Sequence, residues 1–244
     1  MRGVVVASLV LLLPPAARAV SVTPQPILVG AFFRGTEVVV RGATSPDTHV
    51  FVTITGSSVE ERFNRKGRLG PLWANVGKVT VAGVPRLHLV AGTVAADRVL
   101  DRALVDRHLL DLDALARTAA ISPAADAARL RREYVRLKQH EGAFAVIPGA
   151  VTLGPGGKSY EARLRWADRA PVGAYRVRVL HVRGGAVVRE EEGEVRAQLA
   201  GFPRLIAHLA FDRSALNGVL AVAASLAVGF LMGLVFKRRG GGGH

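Results

Sequence analysis

No cysteine occurs among the 244 residues. Its absence excludes disulfides, thiolate metal sites, iron–sulfur clusters and covalent haem attachment. Aromatic residues are also scarce, at 6%, and the apolar half of the composition is mostly Val, Ala and Leu. A chain of this length can still bury a core without covalent cross-links.

Acidic residues are in the minority, with 19 Asp and Glu against 33 Lys and Arg, a net charge of +14. Residues 20–214 hold all 19 acidic residues and 28 of the basic ones, a net charge of +9. Basic domains bind nucleic acid, anionic lipid or acidic partners. The excess is nearly all Arg beside abundant Ala, Gly and Val, which is also what a GC-rich genome produces. For an exported domain we expect no nucleic-acid partner.

The first 19 residues have the parts of a secretory signal peptide. Arg2 gives a positive start, residues 4–13 form an apolar run, and Ala17-Arg18-Ala19 matches an Ala-x-Ala cleavage site. As a helix the run would span only ~15 Å, about half of a bilayer core. A buried core strand is the alternative, but it leaves Arg2 and the cleavage pattern unexplained. We therefore expect the mature chain to begin near Val20.

The longest stretch without charge, residues 215–236, predicts a transmembrane helix. At ~1.5 Å per residue it reaches ~33 Å, enough to cross the hydrocarbon layer. Lys237-Arg238-Arg239 follows, and the positive-inside rule places residues 237–244 in the cytoplasm. The bulk of the chain is then periplasmic, anchored in a bacterial inner membrane by a single pass. A signal peptide requires the same orientation.

Small residues recur every four positions along this predicted helix, at Ala221, Ser225, Gly229 and Gly233. Such a stripe lets a second helix approach closely, so it predicts self-association or contact with another membrane protein. The alternative is that composition alone supplies the small residues. Before the span, residues 201–214 combine spaced apolar residues with Arg and His, which predicts an amphipathic segment at the membrane surface.

Residues 20–200 are predicted to be mainly β. Short runs with alternating or β-branched residues occur at 27–33, 36–40, 50–55, 59–64, 78–82, 87–93, 150–153, 160–166, 176–182 and 186–199. They predict an immunoglobulin-like antiparallel sandwich. Within 176–182 the residues alternate, so one face has Val177, Val179 and His181 and the other has Arg178, Leu180 and Val182. The later strands leave two alternatives open: one sandwich with a helical insertion, or a sandwich plus a second β unit.

Residues 97–141 interrupt the β pattern and predict a two-helix insertion. Helix-spaced leucines indicate one helix over residues 97–118, with an i,i+4 pair of Asp113 and Arg117. A second helix over residues 123–141 would start with Ser122 as N-cap and end at Gly142. One face of it is basic, at Arg129, Arg132 and Arg136. That face fits an acidic partner surface or anionic headgroups, or is simply solvated.

Catalytic and metal-binding motifs are missing. The histidines form no HxH or HxxxH pattern, and no GxSxG occurs. Gly184-Gly185 predicts a hairpin turn, and Glu190-Glu191-Glu192 with Glu194 follows it, where a solvated charge run is expected. Gly154-Pro155-Gly156-Gly157 precedes β-type residues, so it indicates a hairpin loop and not a phosphate-binding loop. We predict no catalytic residue, no metal site and no cofactor.

Several short stretches together resemble one family. These are Phe33–Val38, Leu72–Asn75, Arg136–Gly142, the Pro171-x-Gly173-x-Tyr175-x-Val177 pattern, and Gly229-x-x-x-Gly233 followed by Lys-Arg-Arg. In order and spacing they resemble the Alph_Pro_TM family of single-pass transmembrane proteins first described from alphaproteobacteria. That family has no established activity, so the resemblance carries over no functional residue. It implies an accessory role beside a membrane transporter of sulfite-exporter type.

The sequence therefore predicts a non-enzymatic accessory or interaction protein, anchored in the inner membrane and displaying its β domain in the periplasm. Its expected partners are the lipid bilayer and either a membrane protein or a second copy of the chain. The alternative is a periplasmic module that binds or senses a small anion through its basic surface.

Overall fold

The computed structural model describes residues 20–124, 126–201 and 214–239. The predicted signal peptide, nearly all of the predicted amphipathic segment and the end of the predicted tail lie outside the described residues. The described part is mainly β, as predicted.

The described residues contain thirteen strands, numbered in chain order. Their bounds are β1 Ser21–Thr23, β2 Ile27–Val29, β3 Thr36–Ala43, β4 His49–Thr55, β5 Ser58–Leu69, β6 Leu72–Pro85, β7 His88–Gly92, β8 Ala120–Ser122, β9 Phe144–Pro148, β10 Val151–Leu153, β11 Ser159–Trp166, β12 Gly173–Arg183 and β13 Ala186–Leu199. The helices are α1 Arg102–His108, α2 Leu112–Thr118, α3 Ala127–His140 and α4 Ser214–Arg239.

Two of the three sheets face each other as a sandwich. Sheet A has the order β1-β3-β11-β10, and sheet B has the order β2-β13-β12-β4-β7-β9. Alternate residues of both sheets point inward and form one buried cluster. Trp166 of sheet A lies edge-on to Tyr175 of sheet B, with ring centroids 4.5 Å apart. Such aromatic pairs add to the free energy gained by burial alone.

The β12–β13 hairpin confirms the prediction from Gly184-Gly185. Both glycines have positive φ, 58° and 81°, which is the backbone of a type I′ turn. On β12 the alternation also holds: Val177 and Val179 face the sandwich core, whereas Arg178 lies on the outer face of sheet B.

The prediction of a purely antiparallel sandwich is wrong at both edges of sheet B. There β2 pairs parallel with β13, and β9 pairs parallel with β7. A parallel pair requires a long crossover connection, and residues 93–143 supply one between β7 and β9. The sequence analysis missed β9 because its five residues do not alternate between apolar and polar.

Sheet C, with the order β5-β6-β8, answers the question of one unit or two. It is a smaller, separate sheet beside the sandwich; β5 and β6 precede the helices, and β8 lies between α2 and α3. The predicted strands 59–64 and 78–82 are only the base of a long hairpin, which continues to a turn at Gly70-Pro71.

The single helix predicted over residues 97–118 is wrong, because the chain breaks it twice. Asp101 caps α1 by accepting from the backbone N–H of Leu104, and Asp111 caps α2 by accepting from that of Ala114. Between them Leu109 ends α1 in the left-handed conformation, with φ 53°. Each aspartate thus starts a new helix inside the leucine pattern.

The predicted ion pair between Asp113 and Arg117 is wrong, because Arg117 has a different partner. Arg117 pairs instead with Asp106 of α1, and Arg102 of α1 pairs with Asp111 at 2.5 Å. These two pairs connect the short helices side by side, which a single continuous helix would not allow.

The start predicted for the next helix is also wrong. Ser122 ends β8, and α3 begins at Ala127, four residues after the predicted start at residue 123. Its predicted end is confirmed, because Gly142 follows α3 with φ 70°. Tyr134 is the main buried side chain of α3 and packs edge-on against Phe63 of β5 and Phe144 of β9.

Helix α4 contains the uncharged run predicted to cross the membrane. Within the part of the chain that the structure describes, no helix has both the length and the apolarity that crossing a membrane requires.

His181 is an ionisable residue buried inside the sandwich, only 2% exposed. Its Nδ1 lies 3.1 Å from the hydroxyl oxygen of Thr44, and its ring stands edge-on to Tyr160. Nε2 has no hydrogen-bond partner among the described residues and lies 3.7 Å from Glu191, which also pairs with Arg189. Burial, with a smaller effect of the Arg189 charge, lowers the pKa of His181 to about 4.

A pKa lowered by folding makes stability depend on pH. The unfolded histidine binds a proton below a pH of about 6.5, whereas the folded one stays neutral down to about 4. We therefore expect the stabilising effect of neutral His181 to be complete above pH 6.5 and to be lost as pH falls. In urea denaturation at pH 7 and pH 5, the loss should be about 2 kcal/mol smaller in His181→Gln than in the parent. The exposed His140→Gln is the control, and an unchanged pH dependence in His181→Gln would contradict this assignment.

Candidate functional site

A groove with a volume of about 820 Å³ lies on the outer face of sheet B. Its floor comes from three neighbouring strands: Thr53 and Thr55 of β4, Arg176 and Arg178 of β12, and Glu192 and Glu194 of β13. One wall is the connection Gly56–Ser58, and another is the end of α1 at His108 and Leu109. Its size suits a small organic ligand, for which pockets measure roughly 300–1,000 Å³.

Strand register arranges the floor in two rows across the sheet. Arg176 lies between Thr55 and Glu194, and Arg178 lies between Thr53 and Glu192. Side chains directly opposite one another on a sheet are close enough to interact. The alternating Arg and Glu of the two strands therefore face each other on one surface.

Ion pairs occupy most of these charges. The Nε of Arg178 lies 2.8 Å from Glu190, and its guanidinium lies 3.6 Å from Glu192. Glu194 pairs with its strand neighbour Arg196. The Glu190–Glu194 run is therefore not simply solvated as predicted: its outward members pair with arginines, and Glu191 points inward toward Arg189.

Arg176 differs from its neighbours. Its side chain makes no hydrogen bond or ion pair within the described chain, and neither do the hydroxyls of Ser57 and Ser58 on the adjoining wall. All three are exposed. The groove therefore contains one positive charge and two hydroxyls that are not used in holding the fold together.

His88 holds the α1 wall in place. Its Nε2 lies 2.8 Å from the carbonyl oxygen of Leu109, and its Nδ1 lies 3.0 Å from the hydroxyl oxygen of Thr55. A carbonyl can only accept, so Nε2 donates and Nδ1 accepts from Thr55. Burial lowers the pKa of His88, opposed by the bond to Leu109, so the imidazole is neutral. His88 is thus a structural residue and not an available base.

His108 forms part of the same wall. Burial lowers its pKa; the positive charges of Arg178 and Arg107 act in the same direction, and Glu190 opposes them. Its Nδ1 is buried and has no hydrogen-bond partner among the described residues. No hydroxyl of the described residues is hydrogen-bonded to it, so His108 contributes a polar group to this wall.

A second surface is formed by the β5–β6 hairpin and α3, residues 58–85 and 127–140, called the basic arm from here on. It contains ten Lys and Arg and three Glu, a net charge of +7 out of the +9 of residues 20–214. Towards the tip of the hairpin, from Arg65 to Gly77, β5 and β6 pair with each other and with no other described strand. Leu72 beside the tip is 71% exposed.

A buried polar network connects the two parts of the arm. The Lys138 ammonium of α3 lies 2.9 Å from the Glu61 carboxylate of β5 and 3.3 Å from Glu141. The Tyr134 hydroxyl donates to Glu61 at 3.2 Å. Because burial of an unpaired charge is costly, removing either Lys138 or Glu61 would destabilise this contact.

The predicted basic face lies on the outside of the arm. Arg129 is partly neutralised, with Asp126 at 3.7 Å and Glu133 at 3.6 Å. Arg132 and Arg136 are exposed and pair with no described residue. The same holds for Lys66, Arg68 and Lys78 of the hairpin.

The predicted contact stripe lies on α4. The side chain of Ala221 is outside the described side chains, whereas residues 222–233 are exposed. A Cβ added at Gly229 or Gly233 would meet no atom within 4 Å. Within this chain, that part of the helix face therefore leaves space for a neighbour.

Comparison with known families matches residues 19–238 to the family described as "Putative transmembrane protein (Alph_Pro_TM)". The chain belongs to this family. No curated protein and no protein of solved structure matches it. The resemblance inferred from short motifs in the sequence is thereby confirmed.

One stretch of that resemblance has a clear structural role in this Alph_Pro_TM protein. The Tyr175 hydroxyl donates to the carbonyl oxygen of Pro171, four residues earlier, and so fixes the chain as it enters β12. Immunoglobulin-like sandwiches use a comparable tyrosine corner. Other stretches lie on the basic arm, where Leu72–Asn75 follows the hairpin turn and Arg136 ends the basic face.

The candidate site residues thus fall on separate surfaces. Arg129, Arg132 and Arg136 share the outside of the arm, and Ser225, Gly229 and Gly233 lie along α4. The sequence analysis missed Arg176, Ser57, Ser58 and His108. A signal for Arg176 was present in the sequence. Alternation on β12 placed Arg178 on the outer face, and a residue two positions earlier lies on the same face. Pairing of β12 with β4 brings Ser57 and Ser58 beside Arg176, and packing of α1 on the outer face of sheet B brings His108 to the same groove.

Proposed function

We propose that the chain is a membrane-anchored interaction protein whose basic arm contacts an acidic surface of a membrane-protein partner. The observation that carries this proposal is the concentration of net charge, +7, in the arm, where five exposed cations pair with none of the described residues. Charge of one sign on a surface steers and orients a partner of the opposite sign. The exposed Leu72 adds an apolar contact beside these charges.

The anchor in this proposal is residues 215–236, with the β domain in the periplasm and residues 237–244 in the cytoplasm. Its support is the uncharged run with basic residues directly after it, together with the family's description as a transmembrane protein. A transporter of sulfite-exporter type remains our candidate for the partner. The proposal assigns no catalytic step to the protein.

Charge reversal on the arm tests the partner contact. We expect Arg132→Glu combined with Arg136→Glu to reduce co-purification of the partner from mild detergent by about tenfold or more, because like charges would then meet at the interface. Quantitative mass spectrometry of material purified from the native membrane measures this. The matched control is Arg34→Glu combined with Arg165→Glu, which changes the net charge equally at exposed arginines outside the arm.

Two outcomes of this experiment count against the arm. Equal losses in both double variants would mean that overall charge, and no particular surface, governs the association. Loss of bound anionic lipid without loss of any protein would mean that the arm contacts headgroups and has no protein partner.

The stripe on α4 supports a second prediction. We expect Gly229→Leu combined with Gly233→Leu to insert normally but to lose helix association in crosslinking, because leucine fills the space that a second backbone would occupy. Since a Cβ meets nothing at either glycine, the substitutions leave this chain itself unstrained. Val228→Leu combined with Met232→Leu is the control on a neighbouring face. Crosslinking equal to the parent's in the glycine variant would show that the stripe is only compositional.

Binding of a small anion is a second candidate function. The observation favouring it is Arg176, whose guanidinium lines the groove of sheet B without any partner in the described chain. This function would not require the arm, so each can fail without the other.

A further inference from the structure

We propose that the groove on the outer face of sheet B binds a small solute through a carboxylate or sulfate-like oxyanion, which Arg176 holds with Ser57 and Ser58. The inference gives the second candidate function its site and ligand chemistry, and it rests on that function alone.

The ion pairs of the groove floor leave the guanidinium of Arg176 available to an anion. Two arginines and two glutamates form the floor, so their charges balance in number. Three of the four already have an opposite charge beside them: Arg178 with Glu190 and Glu192, and Glu194 with Arg196. Arg176 has no such partner in the described chain, so an anion in the groove would meet a guanidinium that is not already in an ion pair.

The uncommitted hydrogen-bonding groups suit an oxyanion. A guanidinium offers a planar fork of N–H donors that matches two oxygens of a carboxylate or sulfate. The Ser57 and Ser58 hydroxyls on the next wall can donate to remaining oxygens, since neither is used within the fold. Thr55, which lies directly opposite Arg176, already donates to His88.

The surroundings of Arg176 are rigid, which lowers the cost of ordering a ligand. Beneath it β12 is hydrogen-bonded to a strand on each side. Its neighbour Arg178 is held by two glutamates, and the α1 wall is held by the bond from His88 to Leu109. With a volume of about 820 Å³ the groove has room for more than a bare inorganic ion, so the solute can carry an organic part.

Isothermal titration of the full chain in mild detergent tests the proposal, with succinate, sulfate and phosphate as separate probes at low ionic strength. We expect at least one probe to bind with a dissociation constant in the millimolar range or tighter, and added NaCl to weaken its binding. Succinate alone binding would identify a carboxylate site, and sulfate or phosphate alone would identify a site for tetrahedral oxyanions.

Variants place the binding in the groove. Arg176→Gln should weaken binding at least about tenfold, because a charge-assisted bond is lost. Arg176→Lys should restore part of it, since the charge returns without the fork. Ser57→Ala combined with Ser58→Ala should weaken binding severalfold, and Arg165→Gln on sheet A should have no effect.

The proposal is overturned if none of the three probes binds, or if Arg176→Gln binds as tightly as the parent while its circular dichroism is unchanged. Arg176→Gln should also keep partner co-purification intact. Loss of anion binding with retained co-purification therefore separates failure of the groove from failure of the arm.

Discussion

Sheet B is covered on both faces over only part of its length, and the remaining structure depends on where that cover stops. On the inside, sheet A buries the alternate residues of β4, β7 and β12. On the outside, the segment around α1 buries Phe51, Val90, Leu180 and Val182. The cover ends at Leu109, whose carbonyl is held by buried, neutral His88. Beyond this point the outer face of the sheet is open, and the groove begins.

This arrangement gives the two surfaces different electrostatic character. In the groove, cross-strand pairing places arginines opposite glutamates, and among the described charged residues of its floor only Arg176 is left without an ion pair. On the arm, Glu61 is buried in the contact between hairpin and helix, while the exposed positions are mostly basic. Glutamates of β13 thus balance the arginines of the groove. On the arm Glu61 pairs with Lys138 in the interior, so the exposed cations there are not balanced.

Local sequence patterns predicted the features that depend on neighbours along the chain. Alternation identified the inward side of β12, Gly184-Gly185 identified its hairpin, and Gly142 identified the end of α3. These signals work because backbone conformation and strand periodicity are set within a few residues.

Features that depend on distant residues could not be predicted in the same way. Nothing in Phe144–Pro148 alone shows that it pairs parallel with β7, and the helical leucine pattern hides the break at Leu109. The basic face of α3 was visible in the sequence, but its extension by the hairpin cations was not. The groove was missed because its residues come from three strands and two connections that only the sheet order brings together.

We propose that a membrane anchor at residues 215–236 displays the sandwich and its basic arm outside the cytoplasm. The most direct measurement uses a reporter enzyme that is active only outside the cytoplasm, fused either after Leu199 or after Arg239. The account predicts an active reporter at Leu199 and a silent one at Arg239, because the positive residues after the span remain inside. Equal activity at the two positions would contradict it.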